Sequence, residues 1–247
     1  MTTLSAEPLG ARLAPHLSYP LVSVAPGEGE WHSLSSMLTG DGLFGQFRRL
    51  AERTASPPEV QVTHVMGWLA AAISIPMVTA WRLEGVVPLL DPDETFVRPD
   101  EGGWFNATAI GEPVTVDGDE ATLIRHVTAL MEPLVARVLP HSRLGRRTIW
   151  AVISDRMWVS LYPRDPSDPS CPDAKVRLES LFAGCGPLDQ RRRWTSVDLP
   201  PDRSALAPTA SACCLAYKSE GGEYCAVLCP KTSEGQKQDE LRTMCAR

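Results

Sequence analysis

Val60 to Trp81 reads VQVTHVMGWLAAAISIPMVTAW, 22 residues without a formal charge. Such a run reaches the roughly 20 residues that a membrane-spanning helix needs. Gln61, Thr63, His64, Ser74, Pro76 and Thr79 interrupt it, however, and its centre is rich in alanine instead of leucine. Hydropathy of that kind predicts a helix buried in a protein core, with no stable membrane span.

Outward from this helix, residues 31–54 read as helical with a break at Gly40-Asp41-Gly42, and Leu43, Phe47 and Leu50 lie on one face. Pro57-Pro58 separates that stretch from the apolar helix. The first 30 residues, rich in Pro and Gly, are expected to wander, with a short strand at Leu21–Val24. Residues 85–116 change character. VVPLL, TFVR, WFNATAI and PVTV are short β-prone runs between turn signals, and a small antiparallel meander fits their spacing. Helical periodicity returns in Leu123, Ile124, Val127, Leu130, Met131, Leu134, Val135 and Val138, with Asp117 or Asp119 available as N-cap. Pro133 is expected to kink or divide this helix. A further helix is predicted over Arg147 to Leu161. The fold class read from this order is α+β, helix-dominated with a small antiparallel sheet. Residues 1–162 form the scaffold and 163–210 a surface connector. Residues 211–232 form a cysteine segment and 233–247 a polar tail.

Composition narrows the functional classes. The chain has 247 residues, 43% hydrophobic and 22% charged, the balance of an ordinary globular protein. A net charge of −6 argues against a dedicated nucleic-acid binder, which wants a basic footprint. MTTLSAEPLGARLAPH has no basic head followed by an apolar run, so no secretory signal is read there and a reducing, cytoplasmic location is expected. Seven cysteines, an odd number, weaken a full disulfide framework.

Four of those cysteines, Cys213, Cys214, Cys225 and Cys229, lie within 17 residues in SACCLAYKSEGGEYCAVLCP. Soft sulfur ligands select zinc, copper(I) or iron–sulfur clusters. Structural zinc is usually gripped by two Cys-x2–4-Cys knuckles, and adjacent cysteines make no such knuckle. Neighbouring side chains on extended backbone point to opposite sides, which tilts the reading toward a cluster with two irons. Cys171, Cys185 and Cys245 read as small buried hydrophobes.

The cysteine stretch resembles the motif of the FhuF-type ferric siderophore reductases, Cys-Cys-x10-Cys-x2-Cys, which holds a 2Fe–2S cluster. The likeness includes Cys213-Cys214-Leu215, Tyr217-Lys218, Gly221-Gly222 and Tyr224-Cys225. WRLEGVVPLLDPDETFV, from Trp81 to Val97, and Arg191-Arg192-Arg193 are similar to the family in style. Three residues separate Cys225 from Cys229 where the family usually has two, and Cys245 is the one later cysteine that could substitute. The resemblance implies an oxidoreductase: one-electron reduction of a ferric siderophore, such as a hydroxamate type, through a 2Fe–2S cluster held by Cys213, Cys214, Cys225 and Cys229. No Gly-rich dinucleotide fingerprint is visible, so electrons are expected from a separate donor such as a ferredoxin or reductase. A zinc-stapled binding or biosynthetic module, and an iron–sulfur carrier or sensor without siderophore activity, are the alternatives.

Lesser candidates are weighed against plainer roles. Arg191-Arg192-Arg193 with Arg146-Arg147 could dock an anionic chelate or donor, though such runs are ordinarily solvated. Lys218 could act on the cluster by proximity. Trp194 could join an aromatic wall, while Trp68, Trp81, Trp150 and Trp158 read as core. His64, His126 and His141 are not taken as site residues.

Overall fold

A helix that is apolar on every side has to be covered on every side, and the Val60–Trp81 run is. A computed structural model describes residues 7–225 and 227–246 of the chain. In chain order the elements are α1 (Leu9–Leu13), β1 (Leu21–Ser23), β2 (His32–Ser33), α2 (Leu34–Thr39), α3 (Gly42–Thr54), α4 (Pro58–Glu84), β3 (Val86–Leu89), β4 (Thr95–Pro99), β5 (Phe105–Ile110), β6 (Val114–Asp117), α5 (Glu120–Val138), α6 (Arg146–Leu161), α7 (Cys171–Phe182), β7 (Arg193–Leu199), β8 (Arg203–Thr209) and α8 (Glu234–Cys245). The α+β, helix-dominated reading therefore stands. Among the described residues α4 is the one helix long and apolar enough to cross a membrane, yet 78% of its apolar window is buried inside the fold.

Helix α4 begins with Pro58 in its first turn, where a missing N–H costs nothing, and ends at Gly85, whose φ of 71° suits a left-handed cap. Its neighbours α3, α5 and α6 pack around it. The closest approach comes at Gly67, where an added Cβ would sit 3.0 Å from Val152 Cγ1 and 3.4 Å from Arg156 Nε of α6. On another side, Thr108 Oγ1 of β5 donates to the Ala72 carbonyl at 2.9 Å, tying the sheet to the alanine-rich centre.

Several expectations change. The four β runs are all strands, but they form no single meander. β4 and β5 pair antiparallel in a mixed sheet ordered β1-β5-β4-β2, with β1 parallel to β5, while β3 pairs separately with β6. The parallel pairing needs Leu21–Ser23 from far back in the chain, which local turn signals cannot announce. Residues 7–30 do not simply wander, since they contain α1 and β1; residues 1–6 lie outside the described residues. Pro133 neither ends nor divides α5, which runs to Val138 from an N-cap at Asp119 that accepts from Thr122 N at 2.8 Å.

The supposed connector of 163–210 holds helix α7 and the β7–β8 hairpin, and α8 replaces the polar tail. Alternation made the hairpin: Thr195, Val197 and Leu199 are buried while Ser196 and Asp198 face out. Helix α8 starts with a capping box, in which Ser233 and Gln236 satisfy each other's backbone donors. Val197, Leu199, Ala205, Ala207, Val227 and Leu241 then form a second small core joining hairpin, cysteine segment and α8. Ala226, inside the Cys225–Cys229 spacer, and Arg247 lie outside the described residues.

Leu69 is fully buried in the main core. Leu69→Ala is expected to lower stability by about 2–5 kcal/mol through lost burial and a residual cavity, read as a shifted urea midpoint at unchanged slope. A change under about 0.5 kcal/mol would show that α4 is not the close-packed centre.

Candidate metal centre

The cysteine segment is a loop, and loops keep a shape only when something holds them. Three anchors hold this one. From α6, Asp155 accepts hydrogen bonds from the Ser211 and Ala212 amides at 2.9 and 3.2 Å, immediately before Cys213. From α4, Thr63 Oγ1 donates to the Cys214 carbonyl at 2.5 Å. Beyond the first cysteines, Glu220 N donates to the Thr54 carbonyl at 2.8 Å and the Ser56 and Ser219 hydroxyls share a bond of the same length. The second cysteine pair is tied back by Ala210 N to the Leu228 carbonyl at 2.9 Å and by Thr232 Oγ1 to the Cys225 carbonyl at 3.1 Å.

The backbone itself bends sharply after the pair. Leu215 takes a φ of 62°, unusual for a side-chain-bearing residue, and a 3-10 turn over Ala216–Lys218 follows. Gly222 completes the loop: an added Cβ there would lie 2.0 Å from the Ala216 carbonyl oxygen, so only glycine fits. Tyr217 and Tyr224 stack at 4.6 Å across it, and Lys231 Nζ donates to the Tyr217 hydroxyl at 2.6 Å.

This architecture brings the four motif cysteines together. Cys213 and Cys225 both interact with Cys214, and Cys229, 1% exposed, interacts electrostatically with Cys213 and Cys225. Interaction with Cys214 pushes the Cys213 and Cys225 thiols up, with burial adding to it. The Cys214 thiol is held down, first by Cys213, then by Cys225, with the Ala216 amide and His64 assisting. Other amides also aim at sulfur, Leu215 N at Cys213 and Lys231 N at Cys229, each 3.4 Å from Sγ. Among the described residues no group of three or more His, Cys, Asp or Glu side chains takes up an arrangement that would hold a metal ion as it stands. All seven cysteines are free thiols. Cys171 packs in the main core and Cys245 against the second one, so Cys229, not Cys245, accompanies the other three.

The surroundings of the sulfurs carry groups that sequence reading passed over. Arg156 of α6 lies in the wall of a cavity of about 80 Å³ together with Cys214, Cys225, Cys229 and Trp158. Its guanidinium stacks 4.4 Å over Trp68 and has no ion-pair or hydrogen-bond partner among the described residues. Burial pushes that guanidinium below the ordinary arginine value, while Cys214, Asp155, Tyr19 and Cys225 pull it back. His64, set aside at first, interacts with Cys214 and sits edge-on to Trp104 at 4.7 Å; burial lowers its pKa and its Nε2 has no partner among the described residues. Arg192 does not belong to a solvated basic run. Its side chain is 2% exposed, stacks 4.3 Å over Trp158, and pairs with Asp155 at 3.0 Å. Burial lowers its pKa to about 10, against the pull of Asp155. Desolvation raises Asp155 in turn, while Arg192 and the two amides favour its charged form. Arg191 and Arg193 are exposed, and Arg146 pairs with Glu132. Lys218 is exposed, so the lysine engaged in the loop is Lys231.

A signal for α6 was present in the sequence. Asp155-Arg156 interrupts the run from Ile149 to Trp158, and charges inside an apolar face rarely stay buried unless paired or functional. Thr63 and His64 gave none, because their role depends on a loop some 150 residues downstream.

Four cysteine thiols are the donor set that a soft metal or cluster selects, though they would have to close around it; the assignment separates the cysteines by role. Cys214→Ser is expected to abolish bound iron or other soft metal, whereas Cys171→Ser, in the core, leaves the metal content of purified protein intact. Equal metal content in both variants, by elemental analysis, would show that the ligand assignment is wrong. Compared with models of known protein families and with curated proteins, the chain matches none, so a functional reading stands on the sulfur cage and its surroundings.

Proposed function

We propose that this protein is a cytoplasmic oxidoreductase that reduces ferric siderophore complexes, with a 2Fe–2S cluster held by Cys213, Cys214, Cys225 and Cys229. The observation that carries the reading is the gathering of the four cysteines: Cys213 and Cys225 interact with Cys214, Cys229 acts on both, amides aim at sulfur, and the Arg156 guanidinium stands alongside with no ion-pair or hydrogen-bond partner among the described residues. When bound, the cluster supplies one electron to iron(III), giving iron(II), and regains one electron from a separate donor such as a ferredoxin or reductase. Iron(II) carries less charge and is held far more weakly by the hard oxygen donors of a siderophore, so the transfer releases the metal.

The chain's own residues act through position and charge. Asp155 and Thr63 hold the backbone on either side of the first cysteine pair. The N–H groups of Leu215, Ala216 and Lys231 and the charge of Arg156 stabilise extra negative charge on sulfur, which favours the reduced state. Val152, Val159 and Trp158 form an apolar wall that limits water at the sulfur face. Electron transfer to a chelated ion requires neither a nucleophile nor a general acid, consistent with the absence of a triad motif in the sequence.

Anaerobically purified protein is expected to be reddish-brown, to bleach on dithionite with appearance of an EPR signal, and to release iron(II) from a ferric hydroxamate into a trapping chelator. Colourless, zinc-loaded protein with no paramagnetism on reduction would overturn the proposal. A coloured protein that releases no iron(II) would reduce it to a carrier or sensor. Arg156→Gln is expected to lower the midpoint potential by about 59 mV, a tenfold change in the one-electron equilibrium constant, while Arg156→Lys shifts it less. An unchanged potential in Arg156→Gln would remove the guanidinium from the account.

A further inference from the structure

A second cavity, a groove of about 400 Å³, lies beside the sulfur cage. The two share Val159, Pro208, Cys225 and Leu228, so the groove opens directly onto the cysteine face. It is built where the end of α6, the β7–β8 hairpin and α8 meet. Among the described residues Arg164 is the one charged side chain in its lining, and no carboxylate is present there. Val159 is 46% exposed, Leu228 38% and Met244 52%, three apolar side chains left to solvent in one concave strip. Contiguous apolar exposure of this kind marks a binding surface.

Size and position select the occupant. Small-molecule sites run from roughly 300 to 1,000 Å³ and are mostly apolar with a few polar groups, which describes the groove. A stable protein partner wants about 800 Å² of matching surface on each side, far more than a slot of these dimensions offers. Resting on the reductase reading above, we infer that this groove is the docking site of the ferric chelate. The largely apolar outer shell of the chelating ligand lies against Val159, Leu228 and Met244. The iron is thereby held at the Cys225 end, and Arg164 complements any residual negative charge. A cluster held by Cys213, Cys214, Cys225 and Cys229, if bound, would supply one electron to iron(III) without the chelate having to open.

A gallium(III) trihydroxamate tests this, because gallium(III) copies the size and charge of iron(III) but is not reduced. In equilibrium dialysis against the cluster-loaded protein, Met244→Glu is expected to weaken binding of the gallium chelate at least tenfold, with the cluster's visible and EPR spectra unchanged. Val114→Glu, at an equally open apolar position on β6 (69% exposed) that does not line the groove, is expected to bind as the wild type does. Wild-type affinity in Met244→Glu, or equal loss in both variants, would overturn the assignment even if iron(II) is still released. Met244-dependent gallium binding without iron(II) release would uphold the groove and overturn the reductase reading. A dimer that dissociates in Met244→Glu on gel filtration would give the groove to a second copy of the chain and overturn the proposal.

Discussion

The buried carboxylate of Asp155 joins the helical core to the part of the molecule that carries the cysteines. It stands on α6, against the central helix, and receives Arg192 from the approach to the β7–β8 hairpin together with the amides of Ser211 and Ala212. Removing one partner of such a pair strands a charge in a poorly solvated place, at a cost of about 3–5 kcal/mol. The carboxylate therefore fixes where the chain leaves the hairpin and, two residues later, where Cys213 begins. Trp158 adds a flat face for Arg192, so that the cation is held by packing as well as by charge.

From that anchor the chemistry of the cage follows. Thiols gathered in one place cannot all lose their protons at the ordinary thiol value. Cys214, on which Cys213, Cys225, His64, Arg156 and the Ala216 amide act, is held below the ordinary thiol value, while Cys213 and Cys225 are pushed above it. Backbone N–H groups aimed at sulfur and an arginine with no ion-pair partner among the described residues make the environment electropositive, the condition under which thiolates persist and bind soft metals. The apolar groove alongside gives the cage an outward face suited to a bulky, weakly solvated ligand.

How much could be read in advance depended on distance along the chain. The buried character of α4, the break before α3, all four β runs between residues 86 and 117 and the extent of α5 and α6 lay in local patterns of burial and turn residues. The hairpin and α7 were hidden because Pro, Asp and Arg dominate residues 163–210, and their buried positions form only thin stripes. Arg192 shows the difficulty in one residue: within Arg191-Arg192-Arg193 it looks like part of a solvated patch, yet it is the member that packs on Trp158 and pairs with Asp155.

The sequence by itself determined that the core is helical, that α4 is its centre and that four cysteines crowd one short segment, since these depend on hydrophobic periodicity and spacing over a few residues. Only the tertiary structure decided which sulfurs meet and what surrounds them. Thr63, His64, Asp155 and Arg156 reach the cysteines from helices 58 to 150 residues earlier, and no local pattern encodes a contact made when α4 and α6 pack across Gly67.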